Sequence, residues 1–120
     1  MAASELPTPT LNLIVQKAAM ESIVHCTGRI SKETADQLRQ TGKGLISESK
    51  PVVLDFAGVN YLDSSGLGVI AGLLVSAKRC DCKLSLVNLS PRVKEIFSIT
   101  RILEELGGHE DYLGVRFPPR

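Results

Sequence analysis

The segment Pro51-Val52-Val53-Leu54-Asp55-Phe56 constrains the fold of this chain more than any other. It is apolar without alternation until Asp55. A run of that length fits a central strand covered on both faces, as in a parallel sheet. It leads into Leu62-Asp63-Ser64-Ser65-Gly66-Leu67-Gly68. Beyond that turn, Leu67, Ile70, Leu74 and Ala77 recur at helical spacing, and Ala71 and Leu73 widen the stripe. Strand, small polar turn and helix therefore follow one another directly.

The flanking segments complete the pattern. Leu11, Leu13 and Val15 alternate with Asn12, Ile14 and Gln16, as in a half-buried strand. Lys17 to Glu21 is a polar break, and Ser22 to Gly28 reads as a second strand, antiparallel to the first across the short connection. Ser31 is an N-cap candidate for a helix whose face is Ala35, Leu38, Gly42, Leu45 and Ile46. Lys83 to Asn88 alternates as a strand, and Ser90-Pro91 opens a helix with Val93, Ile96 and Phe97 on its apolar face. A further turn is expected over Ile102 to Leu106. The later strand–helix–strand units demand crossover connections and parallel pairing. The expectation is an α/β fold: a central, mostly parallel sheet, an antiparallel edge hairpin, and helices packed mainly on one face.

With 120 residues, 43% of them hydrophobic, the chain suits one domain with its own core. Residues 11–106 are its expected extent, between an arm (1–10) carrying Pro7 and Pro9 and an unassigned tail (107–120). A net charge of +1 and 4% aromatics argue against a nucleic-acid surface. No apolar run is long enough to span a bilayer, and the first ten residues lack a signal-peptide pattern, so a cytoplasmic location is expected. Three cysteines (Cys26, Cys80 and Cys82) then read as free thiols. Cys80-Asp81-Cys82 lacks a nearby histidine to complete a zinc site, and suits the handover from helix to strand. Neither a metal nor a cofactor is expected.

The serine turn offers unpaired N–H groups at a helix start, a favourable place for a phosphate. It fails the tests for enzymes. A nucleotide-hydrolase loop needs Gly-Lys-Ser/Thr, yet no lysine lies between Pro51 and Lys78. A nucleophile elbow needs glycines two residues either side of the serine, and the earlier one is missing. Gly66-Leu67-Gly68 is only part of a dinucleotide fingerprint. The histidines, His25 and His109, form no triad pattern, and His25 reads as a strand residue with a hydrogen-bonding partner. No catalytic residue is assigned. Locally the turn reads either as a helix cap on Asp63 or Ser64, or as a contact surface and modification site. Two hydroxyls and two glycines exceed what a cap needs.

These residues together resemble the STAS family, and within it the bacterial anti-sigma factor antagonists. The resemblance rests on Val52 to Phe56, Val59 and Leu62-Asp63-Ser64-Ser65-Gly66-Leu67-Gly68-Val69. Gly28-Arg29-Ile30-Ser31 with Thr34 to Leu38, and Leu84 to Val87 with Ser90 to Val93, are similar to further family segments. The resemblance implies a non-catalytic, phosphorylation-switched binding module. Its unphosphorylated form would bind an anti-sigma factor that is also a serine kinase, and so free a sigma factor. The kinase would modify Ser65, and a serine phosphatase would reverse this. Asp63, Ser64, Gly66 and Leu67 would share the docking surface, with Gly28 and Ser31 beside it. Ser31 departs from the acid usual in the family. Two other functions fit the same residues: a STAS scaffold subunit of a signalling or lipid-transport assembly, and a nucleotide or small-molecule module using the turn as an anion site.

Overall fold

The computed structural model describes residues 10–100, with side chains described as far as Ile96. Four strands and three helices alternate: β1 (Leu11–Lys17), β2 (Ser22–Ile30), α1 (Ala35–Ile46), β3 (Val52–Leu62), α2 (Ser64–Arg79), β4 (Leu84–Val87) and α3 (Pro91–Thr100). The sheet order is β1-β2-β3-β4. The hairpin β1–β2 is antiparallel, while β2–β3 and β3–β4 are parallel. The expected mixed sheet with its antiparallel edge is therefore present. Two right-handed crossovers stepping the same way across a sheet lay their helices on one face. That accounts for α1 and α2 packing side by side, so closely that a Cβ on Gly42 would come within 2.8 Å of Leu73 Cδ1.

The core lies between these helices and the sheet. Val24, Ile30, Leu54, Phe56 and Leu86 meet Leu38, Ile70 and Leu73, all buried almost completely. Each such side chain contributes about 1.5–3 kcal/mol on burial. The face expected for α1 is the one buried: Ala35, Leu38, Gly42, Leu45 and Ile46. On α3, Val93 is buried and Ile96 packs against the core. Val52, Val53 and Leu54 are all buried, as an interior strand requires.

Three expectations need correction. The strand beginning at Val52 runs on to Leu62 instead of ending near Phe56. Pairing with β2 holds it extended through two register shifts, between His25 and Thr27 and between Gly28 and Arg29. Gly58 permits this close approach, since a Cβ there would lie 2.8 Å from Thr27 Oγ1. Secondly, Ser31 does not cap α1, which begins after Thr34. The Ser31 hydroxyl donates to Glu33 instead, and Ser31 N–H donates to Thr34 Oγ1, which itself donates to Arg29 O. Thirdly, β1 is less buried than its alternation suggests. As an edge strand it leaves Ile14 65% and Val15 39% exposed. The expected arm, tail and turn over Ile102 to Leu106 lie outside the described residues.

Among the described residues no helix is long and apolar enough to cross a membrane. Cys80 caps the end of α2, and Cys82 is buried just before β4. The pair thus occupies the helix-to-strand handover its spacing suggested. Among the described residues no group of His, Cys, Asp and Glu is placed to hold a metal ion.

Candidate functional site

Asp63 organises the serine turn. Its backbone is extended, and its Oδ1 accepts from the N–H groups of Ser65 (2.9 Å) and Gly66 (3.1 Å). Its Oδ2 accepts from Lys32 N–H at 3.1 Å, and its own N–H donates to Ile30 O at 3.2 Å. A single carboxylate therefore caps α2 and ties it to the loop after β2. The first α2 amides are thus not the open anion site that the sequence suggested. Asp63 occupies the Ser65 and Gly66 N–H groups.

The turn sorts its residues by exposure. Ser64 is exposed and Ser65 half-buried, whereas Gly66 and Leu67 face the core. Gly66 fits because it lacks a side chain: a Cβ there would lie 2.7 Å or less from Ile30 O, Ile30 Cγ2 and Leu62 Cδ1. Ser31 lies in the tethered loop but is only 3% exposed, so the surface beside it is Lys32 and Glu33. Gly28 sits farther back, at φ +116°, where a Cβ would come within 2.5 Å of Thr10 O. Its requirement is one of backbone geometry at the β1–β2 ladder.

Two neighbours of the turn escaped sequence reasoning. Arg29 and Tyr61 are paired across β2 and β3, and the Arg29 guanidinium lies 3.9 Å from the Tyr61 ring centroid. Arg39 lines, with Ser65, Gly68 and Gly72, a groove of about 700 Å³ between α1 and α2. Neither follows from spacing, because each joins residues about 30 apart through sheet register or helix packing.

His25 lies on the opposite sheet face from the core. Its Nδ1 donates to Asp55 Oδ2 at 3.0 Å, and its Nε2 lies 3.0 Å from the Gln16 side-chain amide. It is the strand residue with partners that the sequence suggested. Burial opposes ionisation of Asp55, but hydrogen bonds from Asn88, Ala57 N–H and His25, with the imidazole's charge, outweigh it and lower the carboxyl pKa. Burial, with Asp55 nearby, pushes the Cys26 thiol up to about 12. Burial also raises Cys82, with a smaller contribution from Cys80.

A mixed sheet with two parallel crossovers, the crossover helices α1 and α2 on one face, and a capped Ser-Ser turn at an exposed helix start define a small α/β module built around a surface turn. Residues 12–112 match the STAS domain. The chain belongs to the STAS domain family. It is 31% identical over 90 residues to the anti-sigma-B factor antagonist of Bacillus subtilis (strain 168), covering 75% of this chain and 83% of that protein. Its fold is similar to that of an anti-sigma factor antagonist from Mycobacterium paratuberculosis, with a TM-score of 0.74, 22% identity, and coverage of 95% of this chain and 92% of that one. It is also similar to the anti-sigma factor antagonist SpoIIAA. The unphosphorylated form gives a TM-score of 0.69 at 15% identity, covering 91% of this chain and 90% of that one. The phosphorylated form gives 0.65 at 15% identity, covering 92% and 93%.

Proposed function

We propose that this protein is an anti-sigma factor antagonist: a binding module, without catalysis of its own, switched by phosphorylation of Ser65. In the unphosphorylated state it binds an anti-sigma factor that is also a serine kinase, in the cytoplasm, and a sigma factor is released. A serine phosphatase resets it. Asp63, Ser64 and Ser65 form the docking turn, Gly66 and Leu67 hold it against the core, and Gly28 and Ser31 shape the neighbouring loop. The observation that carries this reading is a serine pair at an accessible helix start, immobilised by the Asp63 carboxylate. The 31% identity to the Bacillus subtilis antagonist supports it.

The switch is electrostatic. Phosphate adds about −1.5 to −2 charges near neutral pH. Asp63, two residues away, is already negative, and the two nearest amides are taken. Burying the new charge against a partner without a cation is costly. A penalty of about 3 kcal/mol weakens binding by about 100-fold. The Asp63 cap uses backbone N–H groups, so removing the Ser65 hydroxyl leaves it intact. Ser65→Ala should remain folded and bind the kinase constitutively, while Ser65→Asp should bind weakly. Calorimetry with the purified kinase measures both, and intact-mass spectrometry after incubation with ATP locates the phosphate. Equal affinities for the two variants, or a phosphate elsewhere, would refute this assignment.

A further inference from the structure

A phosphoryl group on half-buried Ser65 finds the Ser65 and Gly66 amides already serving Asp63, so a nearby cation would stabilise it. The geometry points to Arg39 of α1 as that cation: the α1–α2 groove is a phosphoryl-binding site, and Arg39 leaves Asp36 to hold the phosphate of Ser65. This rests on the phosphorylation proposed above, and names the residue that receives the group.

The helices set the distances. Both leave the carboxyl ends of parallel neighbouring strands, so they run in the same direction. Gly42 faces Leu73, which fixes their relative height. At 1.5 Å per residue, Asp36 stands about 9 Å above Gly42, and Ser65 about 12 Å above Leu73. The two residues are therefore level to within about one helical turn. The Arg39 guanidinium is held at the Asp36 level by its ion pair with that carboxylate. Side chains on a helix lean toward its N-terminus, so Arg39 already points toward the Ser65 end of the groove. Arg39 and Ser65 both line that groove.

The chemistry favours the exchange. Arg39 and Asp36 are about half exposed, at 48% and 55%, and such i,i+3 pairs are weak. Asp36 keeps a second bond, accepting from Gln40 Nε2 at 2.7 Å, so losing Arg39 does not strand it. A guanidinium forks onto two phosphate oxygens, and this geometry is stronger than a surface carboxylate contact. Other charges near Ser65 are the Asp63 and Asp36 carboxylates, which repel the phosphate, and, on the loop beyond Asp63, Glu33 and Lys32, whose backbone N–H is bound to Asp63. Lys43 also lines the groove, but it lies one residue beyond Gly42 and so far from the Ser65 end.

The test uses the full chain with phosphoserine inserted at position 65 during translation. It therefore does not depend on whether any kinase modifies Ser65, and the clamp and the switch can fail separately. The second phosphate ionisation is followed by phosphorus NMR against pH in the otherwise wild-type protein and in the Arg39→Gln and Lys32→Gln variants. A cation beside the phosphate favours the dianion, so Arg39→Gln should raise that pKa by about half a unit. Lys32→Gln should leave it in place, and the Arg39 side-chain N–H resonance should shift when phosphoserine replaces serine. If Arg39→Gln, folded by circular dichroism, titrates as the parent does, or if Lys32→Gln alone moves the pKa, the assignment to Arg39 is overturned.

Discussion

Gly66 and Gly68 stand two residues apart in the first turns of α2, and alanine should have opposite effects at them. Neither has a positive φ. Alanine in a helix is favoured over glycine by about 1 kcal/mol. At Gly68 nothing lies within 4 Å of an added Cβ, so most of that gain survives. At Gly66 the Cβ would meet Ile30 Cγ2 at 2.6 Å, Ile30 O at 2.7 Å and Leu62 Cδ1 at 2.7 Å. The methyl groups can shift, but the carbonyl cannot shift alone, because it terminates β2 and accepts the Asp63 N–H. Relief requires α2 to move off the sheet. Overpacking of this kind costs about 1–3 kcal/mol and more where backbone is struck. The net loss for Gly66→Ala is then about 2 kcal/mol, against a gain of about 0.5–1 kcal/mol for Gly68→Ala. For a chain of this size, those changes move the melting temperature by roughly 8 °C down and 3 °C up. Urea unfolding of both variants gives the free energies directly. Gly66→Ala as stable as Gly68→Ala would refute the close packing of α2 on the end of β2.

The other predictions concern the cap, the thiols and the half-buried Asp55. Asp63→Ala should cost about 1–2 kcal/mol through loss of the α2 cap and the Lys32 tether, whereas Asp63→Asn should retain most of the cap; denaturant midpoints separate them. In the native protein Cys80 should react with a thiol reagent within minutes, while Cys26, buried and raised to about 12, should label only on unfolding. The Asp55 carboxyl has its folded pKa below the unfolded one, so its contribution is present above the unfolded value and is lost as pH falls through the folded value. Stability measured from neutral to acid pH should therefore fall less steeply for Asp55→Asn than for the parent, and parallel curves would show that the Asn88, Ala57 and His25 contacts do not favour the ionised form.

The sequence by itself determined the features that a few neighbouring residues encode. The buried face of α1 is written in a stripe of five residues from Ala35 to Ile46, because helical period and burial share one spacing. The parallel strand pair is implied by an apolar run too uniform for a half-exposed strand, and a cap is expected at Asp63 or Ser64, of which the structure uses Asp63. Local reading failed at Ser31, where a hydroxyl suited to capping is taken by Glu33 and the helix starts three residues later than a Ser31 cap implies. It also stopped β3 six residues short, because the extension to Leu62 is imposed by pairing with β2 and not by its own pattern. The site itself was only half legible. That two serines and an acid meet a helix start is local. That the acid also holds Lys32, that Gly66 is pressed against Ile30, and that Arg39 shares a groove with Ser65 were decided by tertiary structure alone. Those contacts join segments about 30 residues apart, and their geometry comes from sheet register and from the height at which two helices pack, which no single stretch of sequence contains.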